Sequence, residues 1–300
     1  MSREAHWPLV TVTCVRDLSL LELQAQSLDR YLEDNSNIIL IVNEIDPADW
    51  QFYFDKKIKD FYKRHILKIF YLKDFQVDWG VDFGNEAVNG WLRQQILKLI
   101  ISKKIETESY FVLDSQNFLI KNWSFKSKLK NGKIPYKSNP MTWAGESFKN
   151  YCGLLGISPE IDEMPLSIST PIYFNTDLVK KLIDLKNGER EFSRWFFEFS
   201  SAKSEFALYY AWLKFNGGIE KYHYMLHTWS HPMLRDYSDF KNDIKYFLDN
   251  LGKFDLHRWA SINHRAWLEM TPEQYDTVVN KLKEFKLNPD MRKFRDSYNS

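Results

Sequence analysis

The chain has 300 residues with 41 basic and 40 acidic side chains, which gives it a formal net charge of +1. Because the two signs are interspersed along the chain, this balance excludes the concentrated positive charge that a nucleic-acid-binding protein needs. A hydrophobic share of 44% supplies enough apolar side chains for a sizeable core and excludes a disordered chain.

The cysteine count and the hydropathy pattern indicate the compartment. Cys14 and Cys152 are too few for a disulfide framework, which favours a reducing environment. No stretch reaches the roughly 18 apolar residues of a membrane-spanning helix, and the first ten residues lack the pattern of a signal peptide. We therefore expect a cytoplasmic protein without a transmembrane segment. The six basic residues between Lys281 and Arg295 alternate with acidic ones and predict no more than a weak peripheral contact with a membrane.

The first 114 residues alternate between strand and helix patterns. Apolar or β-branched runs predict strands at 9–15, 38–42, 66–72 and 109–113. Helices are predicted from a capping box at Ser19 and Glu22, from an N-cap at Asp46 with Pro47 behind it, and over 86–104, with a loop at 74–85. This alternation predicts an α/β fold with a mostly parallel sheet flanked by helices.

The remaining two thirds of the chain are less regular. Residues 126–156 are rich in Lys, Asn, Gly and Pro and predict a long excursion that acts as a functional loop or lid. Beyond it we predict strands at 166–174 and 219–226, helices from Asn175 or Thr176 and over 192–199, 205–215 and 240–251, a Gly217-Gly218 turn, and a last helix from a capping box at Thr271. No linker is visible, so residues 1–300 are predicted to form a single domain.

Polar side chains follow the predicted strands at the edge where ligands of such sheets bind. These side chains are Asp17, Asn43, Glu44, Asp114, Gln116 and Asn117. In the helix that precedes Asp114, Gln94 and Lys98 are four residues apart and form a polar stripe beside Trp91. Gln95 falls at the edge of the apolar face, where an amide must find a partner or cost about 1–3 kcal/mol.

The helix segment GWLRQQILKL (90–99), followed by a strand that ends in Asp114-Ser115-Gln116-Asn117, resembles the GT-A-fold glycosyltransferases. The similarity is greatest to uncharacterised bacterial and viral types. Residues 169–176 resemble the acceptor-side strand and turn of that family, and residues 204–209 resemble the helix that presents a carboxylate to the reaction centre. The resemblance covers about residues 10–231. It implies a GT-A-like (Rossmann-like) fold with an elaborated C-terminal half, in which 1–125 bind the nucleotide and 126–300 bind the acceptor.

This resemblance implies transfer of a sugar from a nucleotide-sugar donor to a hydroxyl of a glycan or lipid-linked acceptor. In the family, two carboxylates of a D-x-D motif hold Mn²⁺ or Mg²⁺, which bridges the diphosphate. The motif is degenerate in this chain, since Asp114-Ser115-Gln116-Asn117 offers one carboxylate and two amides. Either a histidine supplies the missing ligand, or the reaction needs no metal, or catalysis is impaired. The expected ligand set is Asp114, Asn117 and His227, with His231 as an alternative to His227.

The resemblance also implies the roles of single residues. Glu205 is the candidate general base, and Asp114 is the second candidate catalytic residue, at the diphosphate or the metal. The donor-binding candidates are Arg16, Asp17, Trp91, Gln95, Lys98 and Gln116. Four of these residues have a structural alternative: Glu205 as a first-turn glutamate stabilised only by the helix dipole, Asp114 as a turn cap, and Arg16 with Asp17 as an ordinary ion pair. The alternative function is a non-catalytic carbohydrate-binding or scaffold protein on the same fold.

Overall fold

The computed structural model of the protein describes residues 7–34, 36–44, 48–79, 90–125, 130, 133–136, 144–159, 170–198, 204–225, 232–234, 240–253 and 258–291. The strands are β1 (Leu9–Thr13), β2 (Asn37–Val42), β3 (Ile66–Tyr71), β4 (Ser109–Asp114), β5 (Asn117–Leu119), β6 (Ile134–Tyr136), β7 (Ile172–Asn175), β8 (His223–Met225), β9 (Met233–Leu234) and β10 (Trp259–Ile262). The helices are α1 (Leu18–Tyr31), α2 (Ala48–Phe61), α3 (Leu72–Trp79), α4 (Gly90–Ile100), α5 (Ala144–Leu154), α6 (Thr176–Leu185), α7 (Glu189–Glu198), α8 (Glu205–Phe215), α9 (Phe240–Asn250), α10 (His264–Glu269) and α11 (Pro272–Glu284).

The central sheet has five strands in the order β3-β2-β1-β4-β7. The first four are parallel, and β7 runs antiparallel to β4 at one edge. The register pairs Val12 with Asp114 and Thr13 with Val42, so β2, β1 and β4 end at the same edge. The polar residues that follow these three strands are therefore neighbours, as the sequence pattern predicts.

Helices cover both faces of the sheet. On one face, α4 to α8 pack against alternate residues of β1, β2 and β4, and on the other face α1 and α2 pack against the remaining ones. A third cluster joins α9, α10 and α11 to the small sheet β5-β10-β9. Strands β1 and β4 are buried almost throughout, as apolar strands covered on both faces must be. The α/β fold with a mostly parallel sheet is thus confirmed.

Most predicted elements are present, although their ends differ from the predicted ones. The four strands of the first third are confirmed, as are α8, α9 and the Gly217-Gly218 turn, whose residues have φ of 103° and 99°. The capping box at Thr271 is confirmed as well, since its hydroxyl accepts from the Gln274 amide and the Gln274 side chain accepts from the Thr271 amide.

Three local predictions are wrong, each for a physical reason. The capping box at Ser19 does not form, because α1 starts two residues earlier with Asp17 at the N-cap and Ser19 is buried within the first turn. The predicted loop at 74–85 begins as α3, whose apolar residues, among them Phe75, pack into the core. The predicted strand at 219–226 shortens to β8, since a 3₁₀ turn at Ile219–Lys221 follows the glycine pair.

Other predictions fall partly or wholly outside the described residues. These are the Asp46-Pro47 helix start, the first residues of the 86–104 helix, the beginning of the 166–174 strand and most of the 126–156 excursion, of which the last part is α5. Within the described part of the chain, no helix has both the length and the apolar character needed to cross a bilayer.

Candidate functional site

The centre of the carboxyl edge is occupied by Asp114, the last residue of β4. Its Oδ1 lies 2.9 Å from the Lys98 ammonium, and its Oδ2 accepts a hydrogen bond of 2.7 Å from the Thr170 hydroxyl. The amide of Gln94 lies 3.5 Å from Oδ1. The Asp114 side chain is still 25% exposed. This carboxylate is therefore held on both oxygens and also reaches the surface.

The turn after β4 is ordered by buried amide side chains. Asn117 is fully buried, its Oδ1 accepts from the Asp114 backbone amide at 2.7 Å, and its Nδ2 donates to the Thr170 carbonyl at 3.3 Å. From α1, Gln24 donates to the carbonyls of Asp114 and Asn117 at 2.9 and 3.2 Å. Sequence reasoning missed Gln24, although a glutamine between Leu21 and Leu28 on the apolar face of α1 was the available signal. Together these amides set the direction of Asp114.

Beneath Asp114 lies a buried ion pair between α4 and α8. The Lys98 ammonium is 3.0 Å from Oε1 of Glu205, and the two side chains are 3% and 0% exposed. The Gln95 side chain faces the same carboxylate, to which its NH₂ group donates in the amide orientation that satisfies both groups. Burial by itself would lower the pKa of Lys98, but the charges of Asp114 and Glu205 outweigh it and raise that pKa. Lys98 therefore carries a positive charge at any physiological pH.

Glu205 is placed by the start of α8. Ser204 caps this helix by accepting from the Ala207 amide at 3.3 Å, so Glu205 stands in the first turn, where the helix dipole favours a carboxylate. Burial raises the pKa of Glu205, and the charge of Lys98 opposes that rise. A general base must contact the acceptor hydroxyl, yet the Glu205 side chain has no exposed surface. The structure therefore places Glu205 below the site, as a partner of Lys98, and not at the surface position that a general base requires.

Asp17 connects the end of β1 to the turn after β4. Its Oδ2 accepts from the Ser115 hydroxyl at 2.7 Å. Burial raises the pKa of Asp17, and the hydrogen bond from Ser115 opposes that rise. Its neighbour Arg16 is exposed at the same edge, and Gln116 is half-buried in the turn. The structure thus brings Asp17 and Asp114 to adjacent strand ends.

The N-terminus of α4 forms the other side of this edge. Asn43, which follows β2, donates to the Gly90 carbonyl at 2.7 Å and accepts from Nε of Arg93 at 3.1 Å. Trp91 is 47% exposed beside them. Sequence reasoning missed Arg93, because its helical position alone does not show that it meets the end of β2. The structure therefore adds a cation and a flat exposed ring to the predicted polar edge.

The described side chains do not form the metal site that the resemblance implies. Both oxygens of Asp114 already accept from Lys98 and Thr170, and Oδ1 of Asn117 accepts from a backbone amide. No cluster of three or more His, Cys, Asp or Glu side chains suited to a metal occurs among the residues that the structure describes. His227 and His231 lie outside those residues. The described donors thus do not fit a divalent cation in this arrangement.

The strand order, the helices on both faces and the polar edge around Asp114 define a GT-A-like α/β fold. The chain belongs to the Family of unknown function (DUF6492), whose sequence model matches residues 10–261. No curated protein matches the sequence.

Solved structures with a similar fold are glycosyltransferases of low sequence identity. The bifunctional glycosyltransferase WbbM in its apo form is similar over 97% of this chain with a TM-score of 0.52 and 10% identity, and this chain spans 51% of its length. The galactosyltransferase LgtC, in complex with donor and acceptor sugar analogues, is similar over 96% of this chain and 99% of its own, with a TM-score of 0.52 and 9% identity. At such identities the similarity shows a shared fold and no more.

Proposed function

We propose that the protein is a glycosyltransferase that moves a sugar from a nucleotide-sugar donor to a hydroxyl of a glycan or lipid-linked acceptor. The observation that carries this proposal is the Asp114 carboxylate, held on both oxygens and 25% exposed at the carboxyl edge of the parallel sheet. In open α/β sheets this edge is where ligands bind. The fold is shared with WbbM and with LgtC, of which the second was solved with donor and acceptor sugar analogues.

In this proposal the nucleotide lies over the ends of β1 and β2. Arg16 is exposed there and offers a guanidinium to phosphate. We assign Asp17 to the ribose hydroxyls, from which it would accept through Oδ1, since its Oδ2 already accepts from Ser115. The exposed ring of Trp91 provides a flat face for the base or the sugar. Arg93, fixed by Asn43, adds a second cation on the same side. The donor sugar then lies beside Asp114.

Asp114 is the carboxylate that we assign to contact with the reacting substrates. Among Asp114, Glu205 and Lys98 it is the group whose side chain reaches the surface to a substantial extent. Glu205 and Gln95 act through Lys98 as positioning residues, because neither contacts solvent to more than a few per cent. Sugar transfer to a hydroxyl requires removal of the hydroxyl proton, and a positioned carboxylate at hydrogen-bond distance can accept it.

The first experiment is a thermal-shift screen with UDP, GDP, ADP and CMP, each with Mn²⁺ and with EDTA. A nucleotide present at a free concentration of 100 times its Kd stabilises the folded protein by about 2.7 kcal/mol. We expect one nucleotide to stabilise the wild type and to lose at least tenfold in affinity in Arg16→Gln, which removes the guanidinium offered to phosphate. Arg30→Gln is the matched control, since Arg30 is exposed in the last turn of α1. Absence of stabilisation by every nucleotide, or an equal effect of both variants, would contradict the proposal.

A non-catalytic carbohydrate-binding protein on the same fold is the second candidate. The burial of Glu205 against Lys98 favours it, because the expected base is not available to an acceptor. Release of free nucleotide from a matching nucleotide sugar, measured with and without glycan acceptors, separates the two. Release that disappears in Asp114→Asn supports the transferase, whereas glycan binding that is unchanged in this variant and occurs without any release supports the binding protein.

A further inference from the structure

Lys98 lies at the position between two carboxylates that a bridging cation would occupy. Its ammonium is 2.9 Å from Oδ1 of Asp114 and 3.0 Å from Oε1 of Glu205. It also lies 5.2 Å from the centroid of the Phe206 ring, which is within the range of a cation–π contact. The Lys98 side chain is 3% exposed. The ammonium is thus a fixed charge, held by three neighbours from strand β4 and helix α8.

The positive charge of Lys98 changes the electrostatic potential that an anion meets at Asp114. An uncompensated carboxylate at the surface would repel the phosphates of a nucleotide sugar, and a divalent cation is the usual way to offset that repulsion. Here the Lys98 ammonium, shielded from water, offsets the charge of Asp114 at 2.9 Å. Because Glu205 shares this ammonium, one negative charge remains among the three groups, and Arg16 and Arg93 at the same edge supply further positive charge for the phosphates. A cation that bound both carboxylates would have to displace the ammonium. That displacement would leave a buried lysine without its partners, which is strongly unfavourable.

We propose that the Lys98 ammonium takes the place of a divalent cation at Asp114, so that the donor diphosphate binds at this site without a metal. Glu205 is then the positioning residue that holds Lys98 against Asp114 from below. The inference rests on the proposed function only in naming the diphosphate. The replacement of a metal by Lys98 is a property of the protein alone and can be measured without any nucleotide.

The first test is binding of Mn²⁺ alone, followed by the loss of the free-ion electron paramagnetic resonance signal. We expect the wild type and Asp114→Asn to bind Mn²⁺ equally weakly. Lys98→Met frees both carboxylates and is expected to bind Mn²⁺ at least tenfold more tightly than the wild type. Lys98→Arg keeps the charge and is expected to bind like the wild type. Lys103→Met is the matched control, since Lys103 pairs with Asp184 and is 20% exposed.

A stoichiometric Mn²⁺ site in the wild type that is lost in Asp114→Asn would overturn the proposal. So would a folded Lys98→Met variant without any gain in Mn²⁺ binding, because the ammonium would then not stand where a cation binds. If Lys98→Met fails to fold, the comparison of the wild type with Asp114→Asn still decides the question. A purely structural role of Lys98 would not predict the gain of metal binding or its absence in Lys98→Arg.

The second test uses the nucleotide found in the thermal-shift screen, titrated with Mn²⁺ or with EDTA. We expect the two Kd values to agree within about twofold. A tenfold tightening by Mn²⁺ that requires Asp114 would overturn the proposal. If no nucleotide binds, the proposed function fails, whereas the Mn²⁺ experiment still reports on Lys98. The two failures are therefore distinguishable.

Discussion

Replacement of Glu205 by Gln tests the buried pair beneath Asp114. The change keeps the volume of the side chain and removes one charge at 3.0 Å from the Lys98 ammonium. At an effective dielectric constant of about 20, that attraction is worth about 5.5 kcal/mol before compensation. Lys98 retains Asp114, and the new amide can still accept a hydrogen bond. We therefore expect a net loss of about 3 kcal/mol in the free energy of unfolding, the lower end for a broken buried pair.

Urea unfolding followed by tryptophan fluorescence measures this loss. Glu191→Gln is the control, since Glu191 pairs with Arg194 at 2.9 Å but is 44% exposed, and we expect about 0.5 kcal/mol or less. In a Lys98→Met background, Glu205→Gln should instead raise stability, because it removes a buried carboxylate without its partner. A loss below about 1 kcal/mol in the wild-type background, or no change of sign between backgrounds, would refute a charged Lys98–Glu205 pair.

Three further predictions concern the stability of the folded protein. Gln24→Leu removes the donor from two carbonyls of the turn after β4, the partly buried one of Asp114 and the buried one of Asn117. The free energy of unfolding in urea titrations should therefore fall by about 1–3 kcal/mol, and an unchanged midpoint would contradict the assigned hydrogen bonds. Burial lowers the pKa of His223 to about 3. Between about pH 6.5 and pH 3 the unfolded chain binds a proton at His223 that the folded protein excludes. The free energy of unfolding should therefore fall as the pH is lowered through this window, by up to about 1.4 kcal/mol per pH unit. In His223→Gln, unfolding measured across the same window should lack this slope. In Gly252→Ala the new Cβ would lie 2.8 Å from the Phe285 ring at a φ of +77°, so we expect the free energy of unfolding to fall by about 1–3 kcal/mol. The loss should be larger than in Gly188→Ala, where φ is +96° and no atom lies within 4 Å of the new Cβ.

Local sequence patterns predicted those elements whose structure depends on a short segment of the chain. The buried strands β1, β2 and β4 are visible as apolar runs, and the last helix is visible from Thr271 and Gln274, because capping and burial depend on neighbours in the chain. The start of α1, in contrast, depends on tertiary contacts. Asp17 and Ser19 are both residue types that favour the N-cap. Asp17 takes that position without a side-chain bond to the helix, because its carboxylate accepts from Ser115 in the turn after β4.

The candidate site was predictable in its position and not in its contacts. Strand ends that follow a parallel sheet pattern place Asp17, Asn43 and Asp114 at one edge, and the structure confirms this placement. The pairing of Lys98 with Glu205 joins residues 107 positions apart, and no periodicity in either helix indicates it. The sequence resemblance predicts Glu205 at the acceptor, whereas the packing of α8 against α4 buries it.

The sequence alone therefore determined the α/β class, the parallel strands and the edge at which Asp114 stands. These depend on hydrophobic patterning and on strand ends, which short segments encode. Only the tertiary structure decided which groups surround Asp114, namely Lys98 and Thr170 in place of further carboxylates. Charge compensation is set by distances between segments far apart in the chain, and those distances exist only after the helices pack on the sheet.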